Sequence, residues 1–162
     1  MDHKMISLGL MGVLAALMIA AAISDLRTRT ISNGLNAVMA LLAIPFWVAS
    51  GLPVWPDMAI QAGAAFGVFL AFVGLFALGA MGGGDVKMIG AVMLWIPLPL
   101  FLPTLMVMAI AGGILSAVML VHIKLRPSDK PVEVPYGVAI AAAGLWALHQ
   151  HYLNQFQSIG TS

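Results

Sequence analysis

The chain has 162 residues, of which 62% are hydrophobic and only 8% charged, for a formal charge of +1. Soluble domains carry about 25% charged residues, so this composition, with mean hydropathy +1.04, is that of a membrane protein. The small net charge gives no support to nucleic-acid binding, and the absence of cysteine excludes disulfides, thiolate metal sites and thiol nucleophiles.

No long polar linker divides the chain, and the economical reading is one all-α membrane domain over residues 1–162 with about six transmembrane helices. The first apolar run, Met5 to Ser24, supplies about 20 residues, enough to cross a ~30 Å hydrocarbon core at 1.5 Å per residue. A cleaved signal peptide fits less well. The run exceeds a typical h-region, further spans follow, and Arg27 and Arg29 lie just beyond it. Residues from Asp25 to Asn33 read as a short polar connector. The second run, Leu35 to Ser50, contains Pro45, which membrane helices tolerate when neighbours satisfy the freed carbonyl. Gly51 to Asp57 reads as a turn with Trp55 as an interfacial anchor.

The third run extends from Met58 to about Met81, and its Gly63 and Gly67 suggest a close-packing face. After Gly82-Gly83-Gly84-Asp85 comes Val86 to Ile96, about 16 Å of helix and too short for an upright span. Either this helix starts inside the membrane at the glycines, or its exit at Pro97-Leu98-Pro99 stays buried. Leu100 to about Ile123 forms the fifth run, broken by Pro103. Lys124 to Val134 is the most polar loop, and Tyr136 to Tyr152 the sixth run.

Six crossings leave both termini on one side. The first, third and fifth connectors then hold Arg27, Arg29, Lys87, Lys124, Arg126 and Lys130, six of the seven Lys and Arg residues, with Lys4 opposite. Cytoplasmic loops are enriched in Lys and Arg, so the termini are expected on the non-cytoplasmic side. Asp25 and Asp85 both fall at the cytoplasmic end.

Acids beside bilayer-length apolar runs are functional candidates by default. Two carboxylates can hydrolyse a peptide bond when one is ionised and activates water while the other donates to the developing oxyanion. Proximity and low dielectric produce that asymmetry unaided, because like charges do not both ionise easily. No metal or other cofactor is required. The glycines before Asp85 let substrate backbone approach closely and weaken the helix where an extended peptide would dock.

Asp25 with Arg27, Ile31 and Asn33 after the first span, and Gly82-x-Gly84-Asp85 before the fourth, closely resemble the type IV prepilin peptidases. Pro135-Tyr136-Gly137, opening the last span, also fits that pattern. The resemblance implies a polytopic aspartyl endopeptidase of the bacterial inner membrane with Asp25 and Asp85 as the catalytic pair. Gly82, Gly84, Asn33 and Lys87 become substrate-binding or supporting candidates. The implied substrates are prepilins or pseudopilins, whose basic leader is cut at the cytoplasmic face, after a glycine and just before a hydrophobic helix. Larger members that also methylate the new terminus have an extra cytoplasmic segment, usually with paired cysteines, after their first span. This chain has neither, so it resembles the small protease-only branch of tight-adherence (Flp-type) pilus systems.

Other readings stay open at this level. Asp25 and Asp85 could be topology residues paired with cations such as Arg27 and Lys87, although residues two apart on a helix do not face each other. The acids also suit a small proton- or ion-coupled transporter, and a non-catalytic pilus-assembly subunit is a third possibility. Arg27, Arg29 and Lys87 read as positive-inside anchors, with contact to an acidic residue of the substrate as the alternative, and Asn33 either caps the second helix or bonds near the acids. His149 and His151 point to different sides of a helix and read as interfacial rather than metal-binding; His3 and His122 look incidental. Asp129 and Glu133 read as part of a solvated loop, with attraction of a basic leader as the alternative.

Overall fold

The computed structural model describes residues 3–125 and 134–160, with side chains unassigned at 123 and 152–160. Among the described residues there are six α-helices, α1 (His3–Thr28), α2 (Asn33–Ala49), α3 (Ala59–Ala77), α4 (Gly83–Met93), α5 (Phe101–Leu125) and α6 (Tyr136–Gly160), and no strand. Three helical stretches, His3–Thr28, Val54–Ala77 and Leu98–His122, are long and apolar enough to cross a membrane, and α2 is a shorter apolar helix. This is an all-α membrane architecture. The polar loop with Arg126, Asp129, Lys130 and Glu133 lies outside the described residues.

Helices α1, α2, α4 and α6 form a ring in which each packs on the next, with α3 outside against α4 and α5 outside against α6. The ring interior is apolar and close-packed, with Leu14, Met18, Met39, Met88 and Ile89 fully buried. Gly144 lets α6 approach both neighbours: a Cβ there would lie 2.6 Å from Met18 Sδ and 3.1 Å from Val92 Cγ1. Large apolar side chains such as Leu41, Ile44, Leu70, Met106 and Ile110 remain exposed on the outside. A bundle surrounded by lipid can present such a surface at no hydrophobic penalty.

The structure decides the form of the short fourth helix. Its exit is buried, with Met93, Trp95 and Ile96 inside the bundle, while Gly82 at the other end is exposed. The carbonyls released there would be costly away from water, and two side chains satisfy them. Gln61 Nε2 donates to Ile96 O at 2.6 Å and to Met93 O at 3.1 Å, and Trp47 Nε1 donates to Leu94 O at 2.8 Å. Trp95 reaches back to Met39 O at 2.8 Å and stacks on Phe46. Replacing Gln61 by Leu is expected to destabilise the fold by about 1–3 kcal/mol by orphaning these acceptors. A lowered unfolding temperature in detergent, with helical content intact below it, is the readout.

Several expected boundaries move. The first helix continues past Asp25 to Thr28, so Asp25 lies in its last turn and not in a connector. Arg29, at φ 53°, ends it. The third helix stops at Ala77, because Gly79 at φ +72° closes a Schellman turn: Ala80 N–H donates to Leu75 O and Gly79 N–H to Phe76 O. Pro103 does not break α5; it occupies the first turn, where its missing N–H has no intrahelical acceptor to lose. Gly63 and Gly67 do not form a packing face within the chain, since nothing lies within 4 Å of a Cβ at either position. The face of α3 that packs on α4 instead carries Gln61 and Phe69, whose ring covers Gly90.

Candidate active site

The ring brings Asp25, from the end of α1, and Asp85, from the start of α4, to the same end of the bundle. Both line one cavity of about 630 Å3, and their carboxyl groups interact electrostatically. Asp25 is 5% exposed. Its Oδ2 accepts the Gly137 backbone N–H at 2.8 Å. Gly137 is the second residue of α6, so the bond uses a donor for which the first helical turn has no partner of its own. Asp85 is the third residue of α4, and its carboxylate bonds back to the Gly82 backbone. This is the reach from N3 to the N-cap seen in capping boxes. Asp85 therefore sits at the positive end of its own helix, whereas Asp25, at the negative end of α1, faces the positive end of α6.

Close approach, more than flexibility, explains the glycines. A Cβ on Gly137 would lie 2.8 Å from Asp25 Oδ2, 2.9 Å from Ile31 Cδ1 and 3.0 Å from Asp25 Cβ. A Cβ on Gly82 would lie 3.0 Å from Asp85 Oδ2. Ile31 is the wedge between the two acids' supports: it packs near Gly137 on one side, and its backbone is about 3.5 Å from the Cβ position of Gly84 on the other. The α1–α2 turn that carries Ile31 is tied by hydroxyls, Ser24 Oγ donating to Thr30 O at 2.8 Å and Thr28 Oγ1 to Ser24 O at 2.9 Å.

A match to the type IV leader peptidase family covers residues 12–117, a stretch that includes both aspartates. The chain belongs to that family. Its members are aspartic peptidases, so the protein is a peptidase of the aspartic class. No curated protein and no solved structure gave a significant match.

Among the residues singled out from the peptidase's sequence, Asp25, Asp85, Gly82 and Gly84 line the cavity, whereas Asn33 and Lys87 do not. Ser32, not Asn33, caps α2, its Oγ accepting the Leu35 N–H at 3.2 Å. Asn33 Oδ1 instead accepts from Lys87 Nζ at 2.8 Å, tying the starts of α2 and α4 together on the far side of α4.

Two contributors went unnoticed in the sequence, and a third, Arg29, was read there as a charge anchor. Asn36 is 5% exposed, and its Nδ2 donates to Gly84 O at 3.2 Å, holding the turn before Asp85. A lone Asn inside an apolar run was the available signal. The Gly79–Met81 connector lines the cavity because α3 ends early. Arg29 also lines it, with a buried guanidinium nitrogen that has no hydrogen-bond partner. Its left-handed backbone costs about 1–2 kcal/mol, so this cation is held at the cavity wall against local preference. Two carboxyl groups facing a cavity large enough for water and a peptide segment can perform general acid–base hydrolysis.

Proposed function

We propose that this aspartic peptidase is a single-domain membrane endopeptidase that removes the leaders of Flp-type prepilins or pseudopilins. Asp25 and Asp85 form the catalytic pair. The observation that carries the reading is that these two acids, on separate helices, line one cavity at one end of the bundle. One carboxylate takes a proton from water as the water attacks the scissile carbonyl. The other, protonated, donates to the carbonyl oxygen and then passes its proton to the leaving amine. The pair shares one proton in the resting state and titrates as a unit.

The Gly137 N–H and the Gly82 backbone hold the two carboxyls from opposite sides, which fixes their orientation before substrate arrives. Gly82 and Gly84 leave room for an extended peptide beside Asp85. The charge pattern supports a cytoplasmic location for this end: Arg27, Arg29, Lys87 and Lys124 cluster there and Lys4 lies at the other. On that reading the enzyme works in the bacterial inner membrane with its termini outside the cytoplasm.

The direct test incubates the purified enzyme in lipid vesicles with a polypeptide carrying a short basic leader, a glycine and an apolar helix. Mass spectrometry is expected to find one cut, after the glycine. An intact polypeptide, with proton or solute flux across the same vesicles, would instead favour the transporter reading.

A further inference from the structure

Helix α5 lies outside the ring and, among the described residues, contributes none to the catalytic cavity. It packs on α6, and one side chain shapes its contact with the start of that helix. Tyr136, the first residue of α6, is half-buried and lines the cavity. Its ring lies across Gly112 of α5: a Cβ there would be 3.0 Å from Tyr136 Cε1 and 3.3 Å from Cδ1. The hydroxyl lies 3.4 Å from Ser116 Oγ, one helical turn further along the same face of α5. Ala139, three residues beyond Tyr136, faces the same glycine, with its Cβ 3.9 Å from that position. Gly113 shows how local the fit is. Gly112 is buried and Gly113 exposed, and nothing lies within 4 Å of a Cβ on Gly113.

Tyr136 is followed by Gly137, whose N–H reaches Asp25 Oδ2 at 2.8 Å. The N–H groups of a first helical turn have no intrahelical acceptor, so tertiary contacts must fix where that turn sits. Here there is one on each side. Tyr136 holds the turn to α5. Gly137 lies so close to α1 and its turn that an added Cβ would meet Asp25 and Ile31 at 3.0 Å or less. A turn packed from both sides has no slack, and close-packed interiors transmit small displacements. A change that shifts the Tyr136 ring therefore moves the donor that orients Asp25.

We propose that Tyr136 and Gly112 are positioning residues of the peptidase, and that through them α5 sets the Gly137 N–H at Asp25. The inference rests on the catalytic role given to Asp25 above. A helix with no residue in the cavity thereby acts on the reaction, by holding the first turn of α6 in place. Neither Tyr136 nor Gly112 handles a proton; both act through the backbone donor beside them.

Gly112→Ala is expected to lower kcat for leader cleavage about tenfold with KM unchanged, a smaller loss than the 10²-fold of a full ångström because the ring has to give less than that. Gly113→Ala should keep both constants. Tyr136→Leu is expected to lose about as much as Gly112→Ala, and Tyr136→Phe, which keeps a ring on Gly112, to recover most of it. In the Tyr136→Leu background, Gly112→Ala should cost nothing further, because the two residues act through one contact. Amide exchange at the start of α6, followed by mass spectrometry on the folded enzyme, gives a readout independent of cleavage. It should be faster in Gly112→Ala and unchanged in Gly113→Ala. Equal kcat for the two alanine variants, or additive losses in the double variant, would overturn the inference. So would a Tyr136→Leu effect confined to KM, which would make Tyr136 a substrate contact. Each of these outcomes leaves wild-type cleavage, and so the peptidase reading, intact. A wild-type enzyme that does not cleave would sink that reading and this inference together, whatever the exchange shows. If Gly112→Ala does not accumulate, the comparison of Tyr136→Leu with Tyr136→Phe decides.

Discussion

Asp85→Asn and Asp25→Asn are each expected to reduce leader cleavage by about 10²–10⁴-fold, the usual contribution of a positioned acid or base. The amide has the shape of the carboxyl group but cannot take a proton from water or share one with its partner. In Asp25→Asn the side-chain oxygen can still accept the Gly137 N–H, so the α1–α6 junction stays closed. The loss is therefore chemical and not structural, and both variants should reach the membrane and unfold near the wild-type temperature. Groups that act as a unit are strongly non-additive. The double variant should accordingly be little worse than the weaker single one. Cleavage at a comparable rate by either single variant would remove that residue from the catalytic pair.

Gly137→Ala is the second large effect, although it alters no catalytic group. The added methyl would meet Asp25 Oδ2, Ile31 Cδ1 and Asp25 Cβ, all at 3.0 Å or less. Ile31 Cδ1 can swing aside, but Asp25 Cβ is fixed by the backbone of α1. Either α6 backs away and the N–H···Oδ2 bond breaks, or the carboxyl turns from its orientation. A displacement of about 1 Å at a catalytic group is worth about 10²-fold in rate, and that loss is expected in kcat more than in KM. Gly113→Ala is the matched control: it also lies within a helix, nothing lies within 4 Å of its Cβ position, and its activity should be unchanged. Equal activities for the two alanine variants would mean that the Gly137 contact does not position Asp25.

These two expectations differ in how far the sequence anticipates them. The acids stand out because carboxylates beside long apolar runs are rare and have to be accounted for. Gly137 was visible only as part of a motif, without a role, since its contact to Asp25 joins positions 112 residues apart. Asn33 illustrates the opposite case. Its position beside the first connector suggested the site, yet the turn directs it to Lys87, and Asn36, one helical turn later, carries the bond to Gly84. The end of α3 was misjudged because Leu78 to Met81 is nearly as apolar as the helix before it. Hydropathy cannot register a backbone that turns at Gly79.

From the amino-acid order alone came the helical membrane class, the two acids and their common end of the bundle. Those are consequences of solvent and counting: apolar run length against bilayer thickness, and an even number of crossings, two, between the Asp25 and Asp85 connectors that the cations independently mark. Packing alone decided what surrounds the acids, from the Ile31 wedge and the Gly137 donor to Gln61 closing the buried exit of α4. Such partners depend on how helix faces rotate against one another. That rotation is set by many weak contacts distant in sequence, and no local pattern encodes it.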